Sequence, residues 1–114
     1  MVSKTARPIE FRGSSLTDLS RFPRSARREA GYQLYQVQEG EEPDDWEPIN
    51  TVGIGVREIR IRDREGGFRV IYVAKFEDAI YVLHCFQKKS QKTSARDIAL
   101  ATRRYKELIR ELNA

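Results

Sequence analysis

The sequence of 114 residues predicts an α+β fold: a small curved antiparallel sheet packed on an N-terminal helical hairpin, in the order β-α-α-β-β-β-α. Three observations carry this expectation. Apolar residues recur at helical spacing through the first third of the chain. Three β-forming segments joined by turn residues fill positions 56–86. A helix-start signature and an amphipathic run close the chain. The length and a hydrophobic share of 39% fit one core, so a single domain over residues 1–114 is expected.

The first element is Pro8-Ile9-Glu10-Phe11, short and alternating as an edge strand would be. Arg12-Gly13-Ser14-Ser15 ends it, and Ser15 with Asp18 has capping-box spacing for a helix entered by Leu16, Leu19 and Phe22. Pro23 breaks that helix and suits the first turn of the next, which runs from about Arg24 to Glu39. Ala26, Ala30, Leu34 and Val37 form its buried stripe, with Gly40 as the left-handed cap.

Glu39 to Pro48 holds six acids and two prolines in ten residues. It cannot form a regular helix or a central strand. It reads either as a solvated acidic loop pinned by Trp46, or as a surface that repels phosphate or docks a basic partner. Strands follow at Val56–Ile61, Phe68–Phe76 and Ala79–Phe86. Asp63-Arg64-Glu65-Gly66-Gly67 turns between the first two, and Glu77-Asp78 between the last two. Ser94 and Asp97 repeat the capping-box spacing. The helix behind them carries Ile98, Ala101, Tyr105, Leu108 and Leu112 on one face, with Arg103, Arg104, Lys106 and Arg110 mostly outside it.

One Cys and one His exclude a disulfide framework and any multi-Cys or multi-His metal site, and no cofactor is expected. No apolar run approaches membrane-spanning length, and Met1-Val2-Ser3-Lys4 is not followed by a signal core, so a soluble cytoplasmic protein is expected.

The net charge of +4 is unevenly spread. Residues 1–50 carry seven Lys/Arg against nine Asp/Glu, a net of −2; residues 51–114 carry fourteen against eight, a net of +6. A basic half suggests an anionic partner, nucleic acid before membrane.

No hydrolase constellation is present. His84 and Cys85 are adjacent, so on a strand they point to opposite faces. Glu58, Glu65, Glu77 and Asp78 have no spacing that pairs them as acid and base. The densest feature is Gln87 to Arg96, with cations Lys88, Lys89, Lys92 and Arg96, no anion, and a helix start that adds amide donors for phosphate. Arg57, Arg60, Arg62 and Arg69 lie on neighbouring strands and can converge on one side of a meander. The alternative is a solvated loop with ordinary edge charges.

Gly55-Val56-Arg57-Glu58-Ile59-Arg60-Ile61-Arg62, Gly67-Phe68-Arg69-Val70-Ile71-Tyr72-Val73-Ala74-Lys75-Phe76 and Ala79-Ile80-Tyr81-Val82-Leu83-His84-Cys85-Phe86-Gln87-Lys88-Lys89 resemble the RelE/ParE superfamily of type II toxins, in its HigB-like, phage-derived branch. Phe11–Leu16, the Trp46 loop and Gln91-Lys92-Thr93 fit the same branch, so the resemblance spans about residues 7–112. It implies a toxin that cuts mRNA in the A site of the 30S ribosomal subunit. It also implies neutralisation by a helix-turn-helix, HigA-like antitoxin, and contact with operator DNA only through that antitoxin.

The resemblance assigns phosphate stabilisation to Arg69. It sets Arg60 where RelE-type members often carry a catalytic lysine, and matches Lys88 and Lys89 to the cations ending the last strand. Arg57, Arg62, Lys92 and Arg96 are the expected RNA- or ribosome-binding residues. A lysine among other cations is a candidate base, because repulsion disfavours its charged form; arginine at position 60 can hardly lose its proton. His84 is a possible acid or base, although its apolar strand favours a core or partner-facing role. Tyr105 is no counterpart of the RelE-type C-terminal tyrosine, and Glu47 stands where the branch often has lysine. ParE-type gyrase poisons share the fold, and a non-catalytic RNA- or ribosome-binding module would carry the same cations.

Overall fold

In the computed structural model, which describes residues 6–114, helices cover both faces of a five-stranded open sheet. The start of the chain, where the sequence lacks a signal-like core, lies outside the described residues. The elements are β1 (Ile9–Phe11), α1 (Ser15–Ser20), α2 (Arg24–Gln38), β2 (Trp46–Pro48), β3 (Val56–Asp63), β4 (Gly66–Val73), β5 (Ile80–Lys88) and α3 (Ala95–Leu112). The α+β class and the three-stranded meander are as expected.

Two features of the sheet differ from the sequence reading. Its spatial order is β1-β5-β4-β3-β2, and β1 pairs parallel to β5, with Ile9 opposite Ile80, so the sheet is mixed rather than antiparallel. Alternation marks a strand but not its direction. The acidic segment also contributes a fourth element of the meander, β2, which pairs antiparallel with β3 at the sheet's outer edge. Pro48 is tolerated there because an edge strand needs no outward donor.

The chain between β4 and β5 leaves the sheet earlier than expected, at Val73 rather than Phe76. Arg7 donates to the carbonyls of Ala74 (2.6 Å) and Phe76 (2.9 Å), occupying acceptors that a longer strand would use.

Two cores share the sheet. Ala26, Ala30, Leu34 and Val37 of α2 pack on Ile59, Ile61, Val70, Tyr72, Val82 and Cys85. On the opposite face, Ala101 and Leu108 of α3 pack on Val56, Ile71, Val73, Tyr81 and Leu83. Residues on both faces of β4 and β5 are therefore buried, which explains their near-continuous apolar runs.

A β-bulge controls which residues share a face. Tyr72 lies opposite Val82, but Ile71 lies opposite His84, so Leu83 is the extra residue of β5. Before the bulge, Tyr81 and Leu83 face α3; after it, His84, Phe86 and Lys88 do. Cys85 faces the α2 core, where burial pushes its thiol pKa up.

The caps follow local chemistry with one shift. Ser94 caps α3 by accepting from the Asp97 amide (3.1 Å), as its spacing predicts. At α1 the cap position is Ser14, not Ser15, and Ser14 donates to the Asp18 carboxylate rather than accepting from a backbone amide. Ser15 instead turns inward and donates to the carbonyl of Val82 (3.2 Å). Gly40 follows α2 at a φ of 87°, and Gly66 takes the positive φ of the β3–β4 turn (129°).

Arg104 departs from the expected solvent face of α3. It is 8% exposed, and its guanidinium donates to the carbonyl of the bulge residue Leu83 (2.9 Å) and to Ser14 Oγ (3.0 Å). Gly13 makes room for it: at a φ of +56° a Cβ there would lie 2.4 Å from Arg104 Nε. One side chain thus ties α3, the bulge and the start of α1 together.

Removing Arg104 leaves a buried carbonyl unsatisfied and a hole between three elements. We expect Arg104→Ala to cost roughly 2–4 kcal/mol in urea unfolding, and exposed Arg103→Ala less than about 0.5 kcal/mol. Equal effects of the two substitutions would contradict the tether.

Candidate functional site

The sheet face toward α3 carries an internal cluster of charge. Arg60 of β3 lies directly opposite Arg69 of β4, and Lys88 of β5 lies opposite Gly67. Alternation puts Glu58 on the same face as Arg60, and the bulge puts Lys88 there with Arg69. An open groove of about 530 Å³ is lined by Gly67, Arg69, Lys88, Lys89, Ser90 and Gln91. Arg69 forms its floor and the Lys88–Gln91 segment its wall.

Arg69 is 9% exposed. Its Nη1 donates to the carbonyl of Phe68 (3.0 Å) and its Nε lies 3.8 Å from Glu58 Oε1. Burial lowers its pKa, Glu58 opposes that shift, and Arg60 adds to it. A guanidinium still stays charged over any biological pH range. An incompletely paired, buried guanidinium at the floor of a groove is suited to a tetrahedral phosphate.

Glu58 is the residue that sequence reasoning missed. It is only 2% exposed and accepts a hydrogen bond from Thr93 Oγ1 (2.8 Å) through Oε2. Burial raises its pKa; the Thr93 bond, Arg69 and Lys88 pull it down, and neighbouring Glu47 pushes it up. Its sequence signal is weak: strand alternation sets it with Val56 and Arg60, apart from the apolar Ile59 and Ile61.

Arg60 is not a free cation. Its guanidinium forms ion pairs with Asp45 (3.2 Å) and Glu47 (3.5 Å), which β2 brings alongside β3. The expected convergence of Arg57 with these groups fails. Arg57 is one residue out of phase with Glu58, so it lies on the α2 face, over the Trp46 ring (4.0 Å) and paired with Glu42 (3.0 Å). Arg62 is exposed at the end of β3.

A second cavity of about 470 Å³ adjoins the groove across Lys88, Lys89 and Ser90, and is lined further by His84, Lys92, Arg96 and Asp97. His84 is 5% exposed, stacks on Phe86 (4.8 Å between centroids) and bonds Asp97 Oδ1 through Nε2 (2.7 Å). Lys89, Lys92 and Arg96 are exposed on the rim. Among the described residues, no three His, Cys, Asp or Glu cluster as metal ligands.

The family described as phage-derived protein Gp49-like (DUF891) matches residues 17–106, most of the chain, from within α1 to within α3. The chain belongs to this Gp49-like family. It is a RelE/HigB-type toxin-like family, whose members are often toxins of toxin–antitoxin systems. A comparison with curated proteins finds no match. The match to the Gp49-like family includes Glu58, Arg60, Arg69, Lys88, Lys89 and Thr93, so the groove lies within the shared region. No helix among the described residues is long and apolar enough to cross a membrane.

The Glu58 shift has a definite sign. A carboxyl whose folded pKa is raised favours the fold while protonated, and that contribution is lost as pH rises above its ordinary value of 4.5 and through the raised value. Glu58→Gln has no such loss. We expect the stability of Glu58→Gln relative to the unsubstituted protein to improve as pH rises from about 4 toward neutrality, read as urea midpoints. Parallel pH profiles would contradict the buried-carboxyl assignment.

Proposed function

We propose that this protein is the toxin of a type II toxin–antitoxin pair and that it cleaves mRNA bound in the ribosomal A site. The observation that carries the reading is the Arg69 groove: a buried, incompletely paired guanidinium beside Lys88 and Lys89, in a protein of a toxin-like family. The A site admits a small protein, and single-stranded RNA can lay a phosphate into a groove of this size.

The chemistry needs no cofactor. The ribose 2′-hydroxyl attacks the adjacent phosphorus, the bond to the 5′-oxygen breaks, and charge grows on the non-bridging oxygens. Arg69 neutralises that charge, and Lys88 supports it from the facing strand. Lys89, Lys92, Arg96 and Arg62 hold flanking phosphates, and Arg57 is withdrawn from that role by its place on the other face. His84 serves as an anchor for Asp97 at the start of α3 rather than as acid or base. The partners are the ribosome with its mRNA and a helix-turn-helix antitoxin, which alone carries the pair to operator DNA. The protein acts in the cytoplasm.

Arg60 is held by two carboxylates, so it acts as a structural link to β2 until RNA competes for it.

The test is induction without an antitoxin, followed by mapping of mRNA 5′ ends on and off ribosomes. We expect ribosome-dependent cuts, reduced about 10²–10³-fold by Arg69→Ala. Growth arrest with intact mRNA and inhibited gyrase supercoiling would favour a gyrase poison. Intact mRNA without toxicity would favour a binding module. Lys88→Ala with Lys89→Ala is expected to weaken ribosome association and to flatten its log–log salt slope by about 1.4, roughly 0.7 for each lost phosphate contact. An unchanged slope would remove the pair from the phosphate site.

A further inference from the structure

We propose that Thr93 and Glu58 form a proton relay that removes the 2′-hydroxyl proton during cleavage, an inference that rests on the nuclease reading above. The cationic groups of the groove leave the reaction without an evident base. Arg60 and Arg69 do not release protons, and the lysines are needed as cations against the phosphate.

Glu58 is the one buried carboxylate among the described residues, and at 2% exposure it cannot meet an RNA hydroxyl directly. Thr93 bridges that gap. Its hydroxyl is bonded to Glu58 Oε2 at 2.8 Å, and the residue is half-buried two positions after Gln91, which lines the groove. A hydroxyl can accept one proton while donating its own, so it connects a solvent-facing group to a buried acceptor without carrying charge.

The 2′-hydroxyl proton passes to Thr93 Oγ1 while the Thr93 proton passes to Glu58 Oε2. The 2′-oxygen bonds to phosphorus, and the bond from phosphorus to the 5′-oxygen breaks. That oxygen takes a proton from the Lys88 ammonium or from water, leaving a 2′,3′-cyclic phosphate and a 5′-hydroxyl. Protonating Glu58 also removes the counter-ion that lies 3.8 Å from Arg69 Nε. Arg69 is thereby released toward the phosphate at the moment when negative charge develops there.

The groups that face Glu58 set its pH response: Glu47 from β2, Arg69 from β4, Lys88 from β5 and Thr93 from the loop. Burial makes its carboxylate a stronger base than an exposed one, and the three favourable neighbours keep it ionisable.

The test compares ribosome-dependent single-turnover cleavage by the full chain and by Glu58→Gln, Thr93→Val and Thr93→Ser across pH. Binding of a 2′-O-methyl oligoribonucleotide, which cannot react, is measured alongside. We expect Glu58→Gln and Thr93→Val to lose at least about 100-fold in rate and the acid limb of the pH profile, with binding unchanged within about twofold. Thr93→Ser, which keeps the hydroxyl, is expected to restore both rate and limb. If Glu58→Gln does not fold, the Val and Ser pair at position 93 decides alone. Cleavage by Thr93→Val within about threefold of the unsubstituted protein overturns the relay while leaving the nuclease reading intact, as does parallel loss of binding and rate in every variant. An unsubstituted protein that leaves ribosome-bound mRNA whole overturns both.

Discussion

Strands β4 and β5 are covered on both faces along most of their length, so the charged and polar side chains buried on them depend on partners inside the protein. This constraint shapes the rest of the molecule. Arg69 and His84 lie on these strands among apolar neighbours, and Glu58 stands beside them on β3. A buried polar or charged group without a partner costs free energy, so each of them meets one: Arg69 meets Glu58, Glu58 meets Thr93, and His84 meets Asp97. These contacts also have a structural consequence. They fasten the cationic loop and the start of α3 to the sheet, and so fix the wall of the groove relative to its floor.

The bulge at Leu83 supplies the geometry that the pairs need. One extra residue in β5 carries Lys88 onto the face of Arg69 and turns Cys85 toward the α2 core. The irregular ladder leaves the carbonyl of Leu83 to accept from Arg104, which also reaches Ser14. The residue that restores the backbone bond therefore joins α3 to α1 across the sheet edge. On the opposite edge, the acidic segment becomes β2 and holds Arg57 and Arg60 by ion pairs of ordinary surface strength. Acid that looked like a separate loop is the counter-charge of β3.

Much of this was legible in the residues. The stripe of Ala26, Ala30, Leu34 and Val37, the cap at Ser94 and the three strands between Val56 and Lys88 follow from periodicity and local chemistry. The groove cations Arg69, Lys88 and Lys89 were found from charge density together with family resemblance. What stayed hidden depends on information that one strand does not contain. The parallel direction of β1 is decided by its neighbour, and the bulge by packing across two strands. Arg57 was grouped with Arg60 because both were close in sequence, although their spacing of three sets them on opposite faces. Glu58 gives no signal of its own because no second carboxylate accompanies it; its partners, a threonine and an arginine, are distant in the chain. Arg104 was assigned to solvent because a long cation usually belongs there.

The proposed RNA site lies on the α3 side of the sheet, at the Arg69 groove, and not on the α2 side. The most direct measurement is an NMR titration of the full chain with a short, non-reactive 2′-O-methyl oligoribonucleotide, following backbone amides and arginine Nε–H groups. We expect shifts concentrated at Arg69, Lys88 through Thr93 and the start of α3, with Arg57, Trp46 and α2 unmoved. Shifts centred on Arg57, Trp46 and α2 would contradict it.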